Sequence, residues 1–85
     1  MLMSSKTQYY LDKLQEEAAE VIQAVSKIRR FGSDNHHPER AITNKEDLVN
    51  EIEDLLALIA ALEHSNYIDL TDSKPNIVNK LKSLL

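Results

Sequence analysis

Apolar residues recur at helical spacing along two long stretches of the chain. Spacings of three and four residues place side chains on one side of an α-helix, so each stretch predicts an amphipathic helix. The apolar positions of the first stretch are Leu11, Leu14, Ala18, Val21, Val25 and Ile28. Those of the second stretch are Leu48, Ile52, Leu55, Leu56, Ile59 and Leu62. The pattern predicts two long helices that pack together, antiparallel, through their apolar sides.

Local signals predict where the helices begin and end. In a capping box, a Ser or Thr precedes a Glu or Gln by three residues, and the two side chains bind free backbone N–H groups of the first turn. Such pairs occur at Ser5 with Gln8 and at Thr43 with Glu46. The predicted helices run from about Lys6 to Gly32, from Thr43 to about Glu63, and from the segment 71–73, with Pro75 in the first turn, to the end of the chain.

Composition limits the class of protein. The 85 residues include one glycine, two prolines and no cysteine, which predicts a single all-α domain, residues 1–85, without disulfides. So small a domain buries little surface alone, which favours a helical bundle shared between subunits. The net charge of −4 argues against binding a nucleic-acid polymer. No apolar stretch reaches the roughly 18 residues of a membrane span, so we expect a cytoplasmic protein.

Acidic residues interrupt the apolar stripes of both long helices. Glu17 and Glu20 are three residues apart on the first helix, and Glu51 and Asp54 repeat this spacing on the second. Glu51 falls within the apolar arc of its helix, where an ionised carboxylate is costly unless a cation compensates it. Two facing pairs of carboxylates suit Mg²⁺, which prefers oxygen ligands. The alternative is that these are ordinary surface acids of a non-catalytic helical dimerisation module.

The acidic motifs resemble those of a known family. KLQEEAAEVIQAVSK (residues 13–27) and NEIEDLLALIAALE (residues 50–63) are similar to the EExxE and ExxD helices of the MazG-like all-α nucleoside triphosphate pyrophosphohydrolases, especially the small phage-type members. The resemblance implies that Mg²⁺, with Mn²⁺ as a substitute, is bound by four acids: Glu17, Glu20, Glu51 and Asp54. It also implies that Glu16 is the additional acid of EExxE and that Lys80 contacts phosphates.

The implied reaction is hydrolysis of a nucleoside triphosphate to a monophosphate and pyrophosphate. A metal-activated water attacks the α-phosphorus, and Glu16 or Glu17 positions or deprotonates that water. Lys13, Lys27 and Arg30 are further candidates for phosphate binding, although solvation or compensation of the helix dipole also explains such cations. A homo-oligomer, dimer or tetramer, is expected.

Two questions stay open at the level of sequence. The substrate could be another triphosphate, such as phosphoribosyl-ATP or a deoxypyrimidine triphosphate, since the base pocket lies in loops. Residues 33–43 carry no periodicity and lie between the two acidic motifs. We expect this loop to be more mobile than the helices and to close over the substrate.

Overall fold

The computed structural model describes residues 3–85, and its regular structure is entirely helical. Helix α1 spans Ser5–Phe31, α2 spans Asn44–His64 and α3 spans Lys74–Leu84. The described residues contain no strand. The prediction of an all-α fold with two long helices and a shorter third is confirmed, and none of these helices is long and apolar enough to cross a membrane.

The predicted boundaries between α1 and α2 are close to the observed ones. The Thr43 hydroxyl accepts a hydrogen bond from the Glu46 backbone N–H at 3.1 Å. The Glu46 carboxylate in turn accepts from the Thr43 backbone N–H at 3.0 Å. This reciprocal pair is the expected capping box. Gly32 follows the last residue of α1 with φ of 93°, a backbone conformation that a residue with a side chain adopts only with strain.

The predicted cap of α1 is wrong by one residue. Ser4, rather than Ser5, accepts from the Thr7 backbone N–H, at 3.0 Å. Ser4 has the advantage because its hydroxyl also donates to the buried Thr7 hydroxyl, at 2.8 Å. The Gln8 side chain donates to the Met3 carbonyl instead of completing a capping box.

The cap of α3 also differs from the prediction. Ser73 occupies the N-cap position, but its side chain makes no capping hydrogen bond. Pro75 lies in the first turn as expected. Helix α3 contains no buried residue and packs against neither α1 nor α2. Isolated helices of 11 residues are marginal in water, so α3 lacks the tertiary packing that usually stabilises a helix of this length.

Helices α1 and α2 form an antiparallel hairpin. Ala24 and Leu62 are the buried apolar residues of the interface, with exposed fractions of 1% and 2%. Other interface residues are half-buried, namely Leu11, Leu14, Val21, Ile28, Leu48, Leu55, Leu58 and Ile59. The apolar positions predicted from the sequence are thus confirmed in part as interface residues. The other predicted positions, Ala18, Val25, Ile52 and Leu56, are exposed.

Six exposed apolar residues lie on one side of the hairpin. On α1 they are Ala18, Ile22 and Val25, and on α2 they are Val49, Ile52 and Leu56. At about 100° per residue, each set lies about 100° from the centre of the helix–helix interface. Because the helices are antiparallel, both sets fall on the same side, which we call the outer apolar face. The paired acids of both helices lie toward the opposite side.

The chain is far more extended than a globular monomer of its size. Its radius of gyration is 15.9 Å, whereas about 12 Å is typical for 85 residues. Its accessible surface is 7054 Å², about 1,900 Å² more than the size of the chain predicts for a compact monomer. Much of the apolar surface is therefore left without a partner in the single chain.

Candidate metal centre

Three carboxylates from two helices meet on the acidic side of the hairpin. Each of Glu17, Glu51 and Asp54 offers a carboxylate oxygen, and these oxygens lie within 4.8 Å of one another. The residues occupy facing turns of α1 and α2, so the hairpin itself brings them together without any loop. This distance suits three ligands of one divalent cation with oxygen ligands.

Glu20 joins the same cluster through Glu51. Hydrogen bonding between the two carboxyl groups is the largest cause that raises the pKa of Glu51 to about 7, followed by desolvation and by Glu17. Desolvation is the main cause that raises the pKa of Glu17, and the charges of Glu20 and Asp54 add to it. Burial and the neighbouring acids therefore oppose ionisation of both Glu17 and Glu51.

The carboxylate oxygens of the cluster have the chemistry of a cation-binding site. Atom Oε2 of Glu17 and Oε2 of Glu51 are both buried and have no hydrogen-bond donor. Two ionised oxygens held in this way are unfavourable unless a proton or a cation compensates them. A proton can serve only one pair at a time, whereas a bound divalent cation would satisfy all of these oxygens at once.

A proton should leave this site when a metal binds. Because the pKa of Glu51 is raised to about 7, the metal-free protein carries this proton at pH 6 and has lost it at pH 8.5. Metal binding requires the carboxylate, so we expect most of a proton to be released per site at pH 6 and much less at pH 8.5. Calorimetric titration with Mn²⁺ in buffers of different ionisation enthalpy measures this number. Equal proton release at both pH values would contradict the assignment of Glu51.

The other predicted site residues are spread more widely. Glu16 pairs with Lys13 at 3.3 Å on the exposed surface of α1 and is outside the three-carboxylate group. Arg30 lies over the Phe31 ring, 5.1 Å from its centroid. Lys80 is on α3, away from the hairpin. Within the single chain, none of these four residues lines the cavity beside Glu20 and Glu51.

Lys27 is a predicted cation that the structure brings beside two of the acids. It lines a cavity of about 190 Å³ whose wall also includes Glu20 and Glu51. It lines a second, larger cleft of about 710 Å³ as well, a volume within the usual range for small-molecule sites. Lys27 thus stands at the junction between the acidic cluster and a cleft large enough for a nucleoside.

The larger cleft lies beneath the loop 33–43. Most of its lining comes from that loop and from the adjoining ends of α1 and α2, namely Lys27, Phe31, Asn35, His36, His37, Pro38, Glu39, Arg40, Ile42, Asn44 and Asp47. The loop is tied to the start of α2, where the backbone N–H groups of Asn44 and Lys45 donate to loop carbonyls at 2.8 and 3.0 Å. Its position beside the acids agrees with a role at the substrate, while its mobility stays a prediction.

Arg40 and Asp47 are the site residues that sequence reasoning missed. Both line the two cavities together with Lys27. A signal existed for Asp47, which lies one helical turn before Glu51 on the same side of α2. No periodicity marks Arg40, because it belongs to an irregular loop.

The geometry defines a class of proteins: helical hairpins with an interhelical cluster of carboxylates next to a ligand-sized cleft. The family model of the MazG nucleotide pyrophosphohydrolase domain matches residues 5–83, nearly the whole chain. The protein therefore belongs to the MazG family, and the resemblance expected from the two acidic motifs is confirmed. No curated protein and no solved structure matched the chain.

Proposed function

We propose that the protein is a Mg²⁺-dependent nucleoside triphosphate pyrophosphohydrolase that converts a (d)NTP and water to a (d)NMP and pyrophosphate. The observation that carries this proposal is the meeting of Glu17, Glu51 and Asp54 within 4.8 Å, beside a nucleoside-sized cleft, in a member of the MazG family. The family supplies the reaction class, and the cluster supplies the ligands that such chemistry requires.

Four acids would hold the metal, Glu17, Glu20, Glu51 and Asp54. Bound Mg²⁺, or Mn²⁺ in its place, would neutralise charge on the phosphates and acidify a water molecule. The two helices fix the acids before substrate arrives, because each pair is three residues apart on a rigid turn. Little reorganisation is then needed at the moment of reaction.

Glu17 is the better placed of the two candidates for accepting the proton of the attacking water. Its pKa is raised, chiefly by desolvation, which makes its carboxylate a stronger base. Glu16 faces solvent and is paired with Lys13. We assign proton transfer to Glu17 and a supporting electrostatic role to Glu16. The oxygen of Glu17 that is not bound to the cation would receive the proton.

Cations should bind the phosphates from the side of the cleft. Lys27 is in place for this within the single chain, because it lines both cavities. We retain Lys13, Arg30 and Lys80 as phosphate-binding candidates in the assembled protein. Lys80 can reach a site only from another subunit, because α3 packs on no helix of its own chain.

We further propose that the chain, acting as one domain over residues 1–85, functions as a homo-oligomer. The outer apolar face and the apolar residues of α3 are both exposed in the single chain. The excess accessible surface of about 1,900 Å² per chain is in the range that an obligate dimer buries from each partner. Burial of these faces would give α3 the tertiary contacts that it lacks.

A screen for pyrophosphate release tests the proposed function. Purified protein is incubated with each of the eight common ribo- and deoxyribonucleoside triphosphates and with phosphoribosyl-ATP, with Mg²⁺, with Mn²⁺ or with EDTA. We expect metal-dependent formation of monophosphate and pyrophosphate, without diphosphate or free phosphate. A nucleoside preference would show what the cleft selects. Absence of turnover with every substrate and metal would favour the non-catalytic dimerisation module.

A further inference from the structure

The junction between the two cavities contains a group of three charged residues from three parts of the chain. Lys27 comes from α1, Arg40 from the loop and Asp47 from the first turns of α2. All three line the small cavity beside Glu20 and Glu51, and all three line the large cleft. A ligand that extends from the cleft to the carboxylates has to pass these side chains.

Asp47 forms an ion pair with each of the two cations. Its Oδ1 lies 3.2 Å from the Arg40 guanidinium Nη1, and its Oδ2 lies 3.7 Å from the Lys27 Nζ. The Asp47 side chain is only 12% exposed, whereas those of Lys27 and Arg40 are 41% and 51% exposed. A nearly buried carboxylate therefore anchors two cations whose outer parts remain in solvent.

Both cations keep most of their hydrogen-bonding capacity. A guanidinium has five N–H donors and an ammonium has three, and the ion pair to Asp47 engages only a part of them. The remaining donors of Arg40 suit the planar, bidentate contacts that guanidinium groups make with phosphate. Next to the acids of the metal centre, such cations would add to the attraction that a bound metal exerts on a polyphosphate.

We propose that Arg40 and Lys27 together bind the polyphosphate of the substrate at the junction of the two cavities, and that Asp47 is the positioning residue that aligns them. The inference deepens the proposed function and rests on it only for the kind of ligand. The loop 33–43, α1 and α2 would then each contribute a residue to the phosphate site. Binding of the phosphates would therefore also restrain the loop, through Arg40. The nucleoside is left to the large cleft, and the α-phosphate to the metal centre.

Whether Asp47→Asn binds phosphates more or less tightly than the wild type distinguishes a positioning role of Asp47 from a purely electrostatic effect. Asp47→Asn removes a negative charge next to the phosphates, and Coulomb attraction alone would then favour tighter binding. If Asp47 positions the cations, the same variant binds less tightly, because Lys27 and Arg40 lose the group that holds them. Asp47→Glu keeps the charge and both ion pairs within reach, so it should restore most of the affinity.

Inorganic tripolyphosphate is the probe, because it carries the phosphates without a nucleoside. Its dissociation constant in the presence of Mg²⁺ is measured by calorimetry for the wild type and for five variants: Arg40→Ala, Arg40→Lys, Asp47→Asn, Asp47→Glu and Arg29→Ala. Arg29 is an exposed cation of the last turn of α1 and provides the matched control. Melting temperatures show that each variant is folded.

We expect Arg40→Ala to weaken binding about tenfold or more and Arg40→Lys to recover part of the loss. Asp47→Asn should weaken binding by about three- to tenfold, and Arg29→Ala should match the wild type. Tighter binding by Asp47→Asn, equal affinities for Arg40→Ala and Arg29→Ala, or no binding by the wild type would each overturn the inference. Arg40 lies in an exposed loop, so its variants test the proposal even if Asp47→Asn does not fold.

The experiments distinguish a failure of this inference from a failure of the proposed function. If the wild type binds tripolyphosphate through Arg40 but hydrolyses no nucleoside triphosphate, the junction is a polyphosphate site and the proposed reaction is wrong. If the wild type releases pyrophosphate and Arg40→Ala retains both full tripolyphosphate affinity and an unchanged KM, the reaction stands and the junction assignment fails.

Discussion

Glu51→Gln is expected to lower Mg²⁺-dependent pyrophosphate release by on the order of 10²-fold or more. The amide retains the shape of the side chain but cannot supply a negatively charged ligand. Positioning and charge neutralisation account for most of the catalysis in phosphoryl transfer, so loss of one ligand removes much of the rate enhancement. The cluster of Glu17, Glu51 and Asp54 would keep only two of its three close carboxylates.

The same variant should be more stable than the wild type when metal is absent and the pH is high. The pKa of Glu51 is raised to about 7, well above the usual range of a glutamate, so the folded state binds this proton more tightly than the unfolded state does. Ionisation of Glu51 therefore lowers the free energy of unfolding as the pH rises from about 4.5 to 7, and the full penalty is present above pH 7. Screening by solvent limits this penalty to on the order of 1 kcal/mol.

Two measurements on one sample test this prediction. In EDTA at pH 8, the melting temperature of Glu51→Gln should exceed that of the wild type by roughly 5 °C, and at pH 4 the difference should vanish. Added Mg²⁺ should reverse the order, because it stabilises only the protein that binds it. Glu53→Gln, an exposed acid of the same helix, is the control and should alter neither property. Full turnover by Glu51→Gln would rule out the metal centre.

The hairpin was predictable because its signals are local. The periodicity of α1 and α2 and the capping box at Thr43 concern residues within one or two turns, and the structure agrees with them. The start of α1 was predicted one residue too late, because the cap is Ser4 and not Ser5. The choice of Ser4 depends on a second hydrogen bond, to the Thr7 hydroxyl, which no spacing rule includes.

The acidic cluster was predictable in part for the same reason. Spacings of three residues fix each pair on its helix, and the antiparallel hairpin brings the pairs into register. The cleft was not predictable, because it depends on the path of an irregular loop. Arg40 reaches Asp47 only through that path. Burial was overestimated for Ile52 and Leu56, because a helix with one neighbour can bury only part of a wide apolar arc.

Ile22→Lys is expected to dissociate the oligomer and to unfold much of the chain at micromolar concentration. Ile22 is 69% exposed in the single chain and lies on the outer apolar face. In a protein that functions as a monomer, a lysine there would change stability by no more than about 0.5 kcal/mol. In a subunit interface, the same ammonium would be buried without a partner, at a cost of several kcal/mol.

Ala57→Lys provides the matched control for this prediction, because Ala57 is exposed on the side of α2 that faces away from the outer apolar face. Light scattering gives the mass of each protein, and circular dichroism gives its helix content. Wild type and Ala57→Lys should be oligomeric and helical, while Ile22→Lys should be neither. If the wild type is a stable, fully helical monomer, or if the two variants behave alike, the outer apolar face is not a subunit interface.

In a monomer, Lys80 would have no route to a carboxylate cluster, since α3 makes no contact with the hairpin of its own chain. The phosphates would then be bound by cations that line the cavities of the single chain, Lys27 and Arg40.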